Sequence, residues 1–433
     1  MNIPLFSCLV FFFVYCSSVI VQAEVPLSKT LAYVNEGALH SGLVEDSATY
    51  RPLKIANYPF SLCFYNTTRN AYFLGIGMGN ANTTSFMRWV WSANPTRPVT
   101  DKAKLVFSRN GNLALIDTKN RFVWQTRTAN KGAVDIKLLP NGNLVLLNKQ
   151  GGFVWQSFDY PTHTLMIGQS LRPKSSRGNK LVNGAYSMVI DAHEVGLFFK
   201  SPHSPKPLLY FSLVVPEAHD GGALENVTLN IAPVSDGPDT LNEIRLEYAD
   251  RYRGLHVWAQ PKYNSTLSIL RLSSDGNLHV YTYYEKGRMD AWEETYTEFI
   301  SSMYAGECLL PEKCGSLGIC ENSQCVACPT PKGVTGWSKN CKPSKLPACN
   351  AAAANVSYYK IEGVNHFLHT NFEGLGPMKI GQCRKKCSED CKCMAFFYRK
   401  DTFMCLLTNE LNTLMKVHDS SSAEHIAYIK YAK

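Results

Sequence analysis

Apolar and polar residues alternate in short runs along most of this chain, and the runs are separated by Asn-Gly, Asp-Gly and other polar turns. Asn112-Leu-Ala-Leu-Ile116, Gly184-Ala-Tyr-Ser-Met-Val-Ile190, Leu208-Leu-Tyr-Phe-Ser-Leu-Val214 and Leu267-Ser-Ile-Leu-Arg-Leu272 have a period near two. That period predicts strands with one face turned to a core, and a mainly β chain. Asn-Gly provides the positive φ angles of a tight hairpin turn, so the runs read as β-hairpins. Near the end, Cys383 and Cys387 stand four apart, a spacing that would put both thiols on one face of a helix.

The pattern also repeats. Ser108-Arg-Asn-Gly-Asn-Leu-Ala-Leu-Ile-Asp117 returns as Leu139-Pro-Asn-Gly-Asn-Leu-Val-Leu-Leu-Asn148, a shift of 31 residues. Val90-Trp91, Val123-Trp124 and Val154-Trp155 keep the same beat, 33 and 31 residues apart. Hairpin sheets with one apolar face can bury those faces only against one another. One tryptophan per unit is a natural filler for the shared axis.

The residues that carry this pattern resemble a known family. Val90-Trp-Ser-Ala-Asn-Pro95, the two Asn-Gly-Asn-Leu segments and Val154-Trp-Gln-Ser-Phe-Asp-Tyr-Pro-Thr-His-Thr-Leu165 are similar to the bulb-type lectin domain of S-locus glycoproteins. The resemblance covers about residues 49–172 and implies a β-prism with threefold pseudosymmetry. Residues 173–300 alternate in the same way, and Asp275-Gly-Asn-Leu278 and Trp292 echo the first domain at longer spacing. A second, diverged β-prism-like domain is expected there.

Mannose-binding members of that family carry a Q-x-D-x-N-x-V-x-Y strand whose polar side chains bond sugar hydroxyls. The matching positions are Ser108, Asn110, Asn112, Ala114 and Ile116 in one repeat, and Leu139, Asn141, Asn143, Val145 and Leu147 in the next. The central Asn survives, Asp has become Asn, and Gln and Tyr are lost. A further copy keeps Asp275, Asn277 and Tyr281. Asn110, Asn112, Asn141, Asn143, Asp275, Asn277 and Tyr281 are therefore the candidate carbohydrate-binding residues. The competing reading is that these are hairpin turns whose asparagines bond backbone.

Leu5 to Val21 is apolar and closes with Val21-Gln22-Ala23, so residues 1–23 read as a secretory signal peptide, although Met1-Asn2-Ile3-Pro4 carries no Lys or Arg. Residues 24–48 are expected to form an N-terminal arm. No later window approaches the roughly 18 apolar residues of a membrane span, so none is expected. Asn66, Asn82, Asn226, Asn264 and Asn355 head sequons, consistent with N-glycosylation in a secreted chain.

Of 15 cysteines, twelve lie between Cys308 and Cys405, the density of a disulfide framework in an oxidising compartment. Cys63 is left over within Phe60-Ser-Leu-Cys-Phe-Tyr65 and reads as a buried, inert thiol. Cys325-x2-Cys328 could be half of a zinc site, but secretion and the adjoining cysteines favour disulfides, and no metal is expected. The spacing over residues 301–345 resembles an EGF-like module, which implies pairs Cys308–Cys320, Cys314–Cys325 and Cys328–Cys341. Residues 346–433, with the run Gln382-Cys-Arg-Lys-Lys-Cys-Ser-Glu-Asp-Cys-Lys-Cys393, resemble an α+β PAN/apple domain. That resemblance implies pairs Cys383–Cys405, Cys387–Cys393 and Cys349–Cys391, and a surface for protein or carbohydrate.

A length of 433 residues exceeds a single core. The net charge of +9 is diffuse, its longest cationic run being Arg384-Lys-Lys386, which argues against nucleic acid and is compatible with a weak preference for acidic wall polysaccharide. No G-x-S-x-G, H-E-x-x-H or Walker loop occurs, and no cofactor is implied. The order of domains, without kinase, resembles the plant family of epidermis-specific secreted glycoproteins. The resemblance implies an extracellular or cell-wall binder of glycans or glycoproteins, not an enzyme. The alternative is a wall scaffold that binds no sugar, or a module that binds protein through its PAN domain.

Overall fold

The hairpins predicted from the alternating runs are present, and they assemble into two prisms and a disulfide-stapled C-terminal region. The computed structural model describes residues 24–432 apart from 80–85, 176–177, 215–221, 235–236, 250–254, 265–266, 285–290, 301–305, 348–355, 371–373 and 419–420. The expected signal segment, Asn82, Asn355 and Cys349 lie outside the described residues. No helix among those described is long and apolar enough to cross a membrane.

Three antiparallel sheets form the first prism. One holds Thr49–Asn57, Phe60–Thr68, Ala71–Met78 and Arg88–Ser92; the next Leu31–Val34, Lys104–Phe107, Leu113–Ile116 and Phe122–Gln125; the third Asp135–Leu138, Leu144–Leu147 and Phe153–Gln156. Alternate residues such as Leu62, Phe64, Leu105, Phe107, Leu113, Leu115, Leu144 and Leu146 point inward and are buried. Trp91, Trp124 and Trp155 meet edge to face at the axis, with centroids 5.9, 6.2 and 5.7 Å apart. Each such pair adds about 0.5–1.5 kcal/mol beyond its buried area.

Residues 24–48 are not a free arm. Leu31–Val34 pairs antiparallel with Lys104–Phe107 and completes the second sheet. The strand is too short, and too evenly half-exposed, to show an alternation in sequence.

The second prism repeats the plan with longer strands. Its sheets are Lys180–Asn183, Tyr186–Ile190, Glu194–Phe199 and Leu208–Val214; Ser170–Leu171, Leu224–Pro233, Thr240–Tyr248 and Leu255–Tyr263; and Thr164–Met166, Ser268–Leu272, Leu278–Tyr283 and Trp292–Thr297. The expected boundary at 172 therefore moves back, because Thr164–Met166 and Ser170–Leu171 hydrogen-bond within the second prism. Its interior is mainly aliphatic, with Tyr186, Phe199, Tyr210 and Phe299; Trp258 packs against it partly buried, and no tryptophan axis is found among its described residues. Trp292 instead packs on the first prism's core and donates its Nε1–H to the Phe86 carbonyl at 2.6 Å.

The EGF-like and PAN segments are not separate modules. Leu317–Glu321 pairs in parallel with Asn412–Lys416, making one sheet of Gly333–Gly336, Gln324–Thr330, Leu317–Glu321, Asn412–Lys416 and Val364–His366. A second sheet carries Val356–Glu362, His425–Ala432, Ala395–Arg399 and Cys405–Thr408. The helix Ile380–Glu389 has almost no apolar stripe: its buried residues are Cys383 and Cys387. Disulfides Cys383–Cys405 and Cys387–Cys393 hold it where apolar packing would otherwise be needed. Cys308–Cys320, Cys314–Cys325 and Cys328–Cys341 are formed, and Cys391 is also disulfide-bonded. Cys63 is a free, wholly buried thiol whose pKa burial pushes up to about 12.

Candidate carbohydrate-binding site

The three Asx-Gly-Asn-Leu segments are wired alike. In each, the first side chain accepts the backbone N–H two residues on: Asn110 from Asn112 at 3.0 Å, Asn141 from Asn143 at 3.2 Å, Asp275 from Asn277 at 2.9 Å. The glycine between them turns the chain with φ of 81° at Gly111, 83° at Gly142 and 90° at Gly276. A Cβ there would also collide with a neighbour, Ala133 O at 2.6 Å for Gly111 and the Tyr186 ring at 2.6 Å for Gly276.

The second asparagine ties that turn to the next strand. Asn112 Nδ2 donates to Gln125 Oε1 at 3.0 Å, while its Oδ1 accepts from Thr128 N at 3.2 Å and Thr126 Oγ1 at 3.3 Å. Asn143 donates to Gln156 Oε1 at 2.9 Å and accepts from Ser157 Oγ at 3.2 Å and Phe158 N at 3.3 Å. Asn277 accepts from Phe299 N at 3.2 Å and lies 3.5 Å from its carbonyl. These amides are 8, 3 and 1 % exposed. Asn112, Asn143 and Asn277 thus spend their amide oxygens and one N–H each inside the fold. The hairpin reading explains all three, and Ile116 and Leu147 offer no hydroxyl where the family pattern has Tyr.

Tyr281 lines a cleft between the prisms together with Ser273 and Ser274, while Asn277 is tied to Phe299. The Tyr281 ring lies under the Arg88 guanidinium, 4.0 Å from centroid to Cζ. The structure therefore does not gather the seven candidates into one site. Among the sequons, Asn264 is exposed, with its amide bonded to Asp239 at 2.9 Å and to Thr240 N at 2.8 Å. Asn226 donates to Glu247 at 3.1 Å, and Asn66 is buried and accepts from Thr49 at 2.5 Å.

A different concavity combines aromatic rings with polar side chains. Beside the tryptophan axis, a dish of about 270 Å³ is lined by Trp124, Trp155 and Tyr160, with Arg97, Gln125 and Arg127 among its polar residues. Tyr160 stacks on Trp155 at 5.5 Å and 18°, and its carbonyl accepts the Trp91 Nε1–H at 2.9 Å. The Arg97 and Arg127 guanidinium groups and Gln125 Nε2 have no partner among the described residues. Arg127 sits at φ 58°, a conformation that a long side chain adopts rarely. The sequence marked Trp124 and Trp155 as axis residues and Tyr160 as part of a motif, but it did not mark Arg97, Gln125 and Arg127, because those positions come from different repeats.

Sheets closed on a tryptophan axis, Asx-Gly-Asn turns and a disulfide-held helix on a sheet define a bulb-lectin prism protein with a PAN domain. Residues 88–184 match the D-mannose binding lectin family, and residues 369–429 match the PAN domain family. The chain is 41 % identical over 431 residues to EP1-like glycoprotein 3 of Arabidopsis thaliana, covering 94 % of this chain and 93 % of that one. It is 44 % identical over 363 residues to the epidermis-specific secreted glycoprotein EP1 of Daucus carota, covering 78 and 92 %. The chain belongs to the EP1-like glycoprotein family. A receptor-like kinase of Arabidopsis thaliana, the G-type lectin S-receptor-like serine/threonine-protein kinase SD2-5, is more distant, 24 % identical over 88 % of this chain and 44 % of the kinase.

Proposed function

We propose that this chain is a secreted, non-enzymatic glycoprotein of the extracellular space and cell wall that binds mannose-type N-glycans on other glycoproteins. The observation that carries the reading is the dish beside the tryptophan axis. Sugars pack their C–H faces on aromatic rings and offer hydroxyls to planar donors, and Trp124 and Tyr160 stand beside the unpartnered donors of Arg97, Gln125 and Arg127. The carrot relative is named as secreted, and the disulfide-dense C-terminal region suits an oxidising compartment. One shallow dish gives weak binding per molecule, so firm attachment calls for several copies on one glycan-bearing surface.

A glycan array on the secreted protein tests this, with Arg97→Ala/Arg127→Ala and Asn277→Ala beside the parent. High-mannose glycans should bind the parent and folded Asn277→Ala, and be lost from the double variant. A blank array would favour the second reading, a scaffold or protein-binding module acting through the PAN domain. That reading draws support from the internal bonding of Asn112, Asn143 and Asn277.

A further inference from the structure

No long run of the sequence carries the net charge of +9, but the C-terminal region holds two stretches from which acidic residues are missing. Residues 322–361 contain Lys332, Lys339, Lys342, Lys345 and Lys360, and residues 374–388 contain Lys379, Arg384, Lys385 and Lys386; neither stretch has an Asp or Glu. Several acids outside them are already paired. Glu307 meets Lys313, Glu321 meets Lys416, Glu362 meets Lys360, Glu389 meets Lys385 and Asp401 meets Arg399. Lys332, Lys339, Lys342, Lys345, Lys386 and Lys392 are exposed and have no ion-pair partner among the described residues.

The fold brings the two stretches together. Lys345, with Pro343 and Leu346, and Lys392, with Met394, line one cavity of about 590 Å³. Tyr358, in the first stretch, meets the helix of the second: its hydroxyl lies 3.0 Å from Ser388 Oγ and its ring centroid 5.0 Å from Arg384 Cζ. The lysines stand on pinned backbone. Cys341, beside Lys342, is bonded to Cys328, and Lys392 lies between the disulfide-bonded Cys391 and Cys393. Little chain freedom is therefore lost when a ligand is held there. The nearby carboxyls are engaged inside the fold. Glu312 accepts the Tyr186 hydroxyl at 3.0 Å, Asp390 accepts the Lys392 N–H at 2.8 Å, and burial and Glu312 raise Glu410 to about 7.

We propose that this lysine-lined edge of the C-terminal region binds a linear polyuronate, a chain of uronic acid residues whose carboxylates meet Lys345 and Lys392 and the flanking Lys342 and Lys386. The chemistry asks for a polymer. One exposed ion pair adds little, whereas repeated carboxylates on one chain combine many weak contacts. It also favours carboxylate over phosphate. Arginine is the cation whose planar fork matches phosphate, and the single arginine of the two stretches, Arg384, packs on Tyr358. The inference rests on the carbohydrate reading for its ligand class only, since it uses none of the dish residues.

The test is binding of the full glycosylated chain, in calcium-free buffer, to polygalacturonate, to the same polymer fully methyl-esterified, and to vesicles of phosphatidylserine and phosphatidylcholine. Polygalacturonate should bind, and its affinity should fall at least about tenfold between roughly 0.01 M and about 0.15 M salt, while the neutral ester should not bind. Lys342→Gln/Lys345→Gln/Lys386→Gln/Lys392→Gln should weaken polygalacturonate at least about tenfold with an unchanged melting temperature, because these lysines are exposed and unpaired. Lys54→Gln/Lys119→Gln/Lys131→Gln/Lys149→Gln removes the same charge from exposed positions of the first prism and should change the affinity less than about twofold. No binding of polygalacturonate, equal binding of acid and ester, equal loss in the two quadruple variants, or vesicles bound as tightly as the polymer would overturn the proposal. A blank glycan array beside intact polygalacturonate binding removes the dish reading alone, and high-mannose binding without polygalacturonate binding removes this one alone.

Discussion

The prisms and the C-terminal region reach a defined fold by opposite means. The prisms contain one cysteine, Cys63, and it is unpaired; they rely on wide apolar sheets, turn asparagines and, in the first, three tryptophans. The C-terminal region has small cores, one around Leu317, Phe397 and Leu414, and five disulfides between described residues. Short segments with little alternation cannot exclude enough water to order themselves, and cross-links take over that task. Tertiary pairing then erases the module boundary that the cysteine spacing suggests.

Reduction separates the two regions most directly. Each native disulfide of a small region is worth about 2–5 kcal/mol. Reducing agent should therefore unfold residues 306–432 while the prisms keep their amide-exchange protection. Loss of protection in both regions at once would show that the prisms depend on the staples. Trp91→Ala comes next, with an expected cost of about 3–5 kcal/mol in thermal or denaturant unfolding, because it empties the axis where Trp124 and Trp155 meet. A loss below about 1 kcal/mol would mean the axis is filler only.

Asn143→Ala should cost about 1–3 kcal/mol, since it orphans the Phe158 N–H and the Gln156 side chain, while leaving glycan binding of the folded fraction unchanged. Loss of sugar binding at full stability would return the site to the strands. The two regions also meet at a cavity of about 590 Å³ lined by Phe199, His203, Glu312 and Glu410. Burial, then the Glu312 charge, raises the Glu410 carboxyl to about 7. Its folded pKa lies above the ordinary 4.5, so the stability it contributes is complete below pH 4.5 and is lost as pH rises through about 7. Glu410→Gln should be more stable than the parent at pH 8 and flatter between those limits. Identical pH profiles by thermal unfolding would remove Glu410 from the seam. The smallest effect is expected at Cys63→Ala, about 1 kcal/mol, with no change in sensitivity to oxidants, because the thiol is buried and stays protonated.

Much of this was readable from local pattern. The Asn-Gly hairpins, the Val-Trp beat and the i, i+4 cysteines involve residues close in the chain, and each states its own geometry through φ preference or helical period. The candidate sugar residues were legible as a motif but not as a function. Only the strand after each turn shows that Asn112 bonds Gln125 and Asn143 bonds Gln156.

Residue order alone establishes a mainly β chain with a disulfide-bonded C-terminal region, because alternation, turn chemistry and cysteine spacing act over a few residues; the lectin type rests on the resemblance that its motifs carry. Only the assembled fold makes Leu31–Val34 a strand, takes Trp292 from its own prism's axis to pack on the first, and carries Arg271 to Glu45 across 226 residues. Those outcomes depend on which surfaces find one another once the sheets have formed, and a charge or an unpaired N–H gains its meaning only from the groups that burial places beside it.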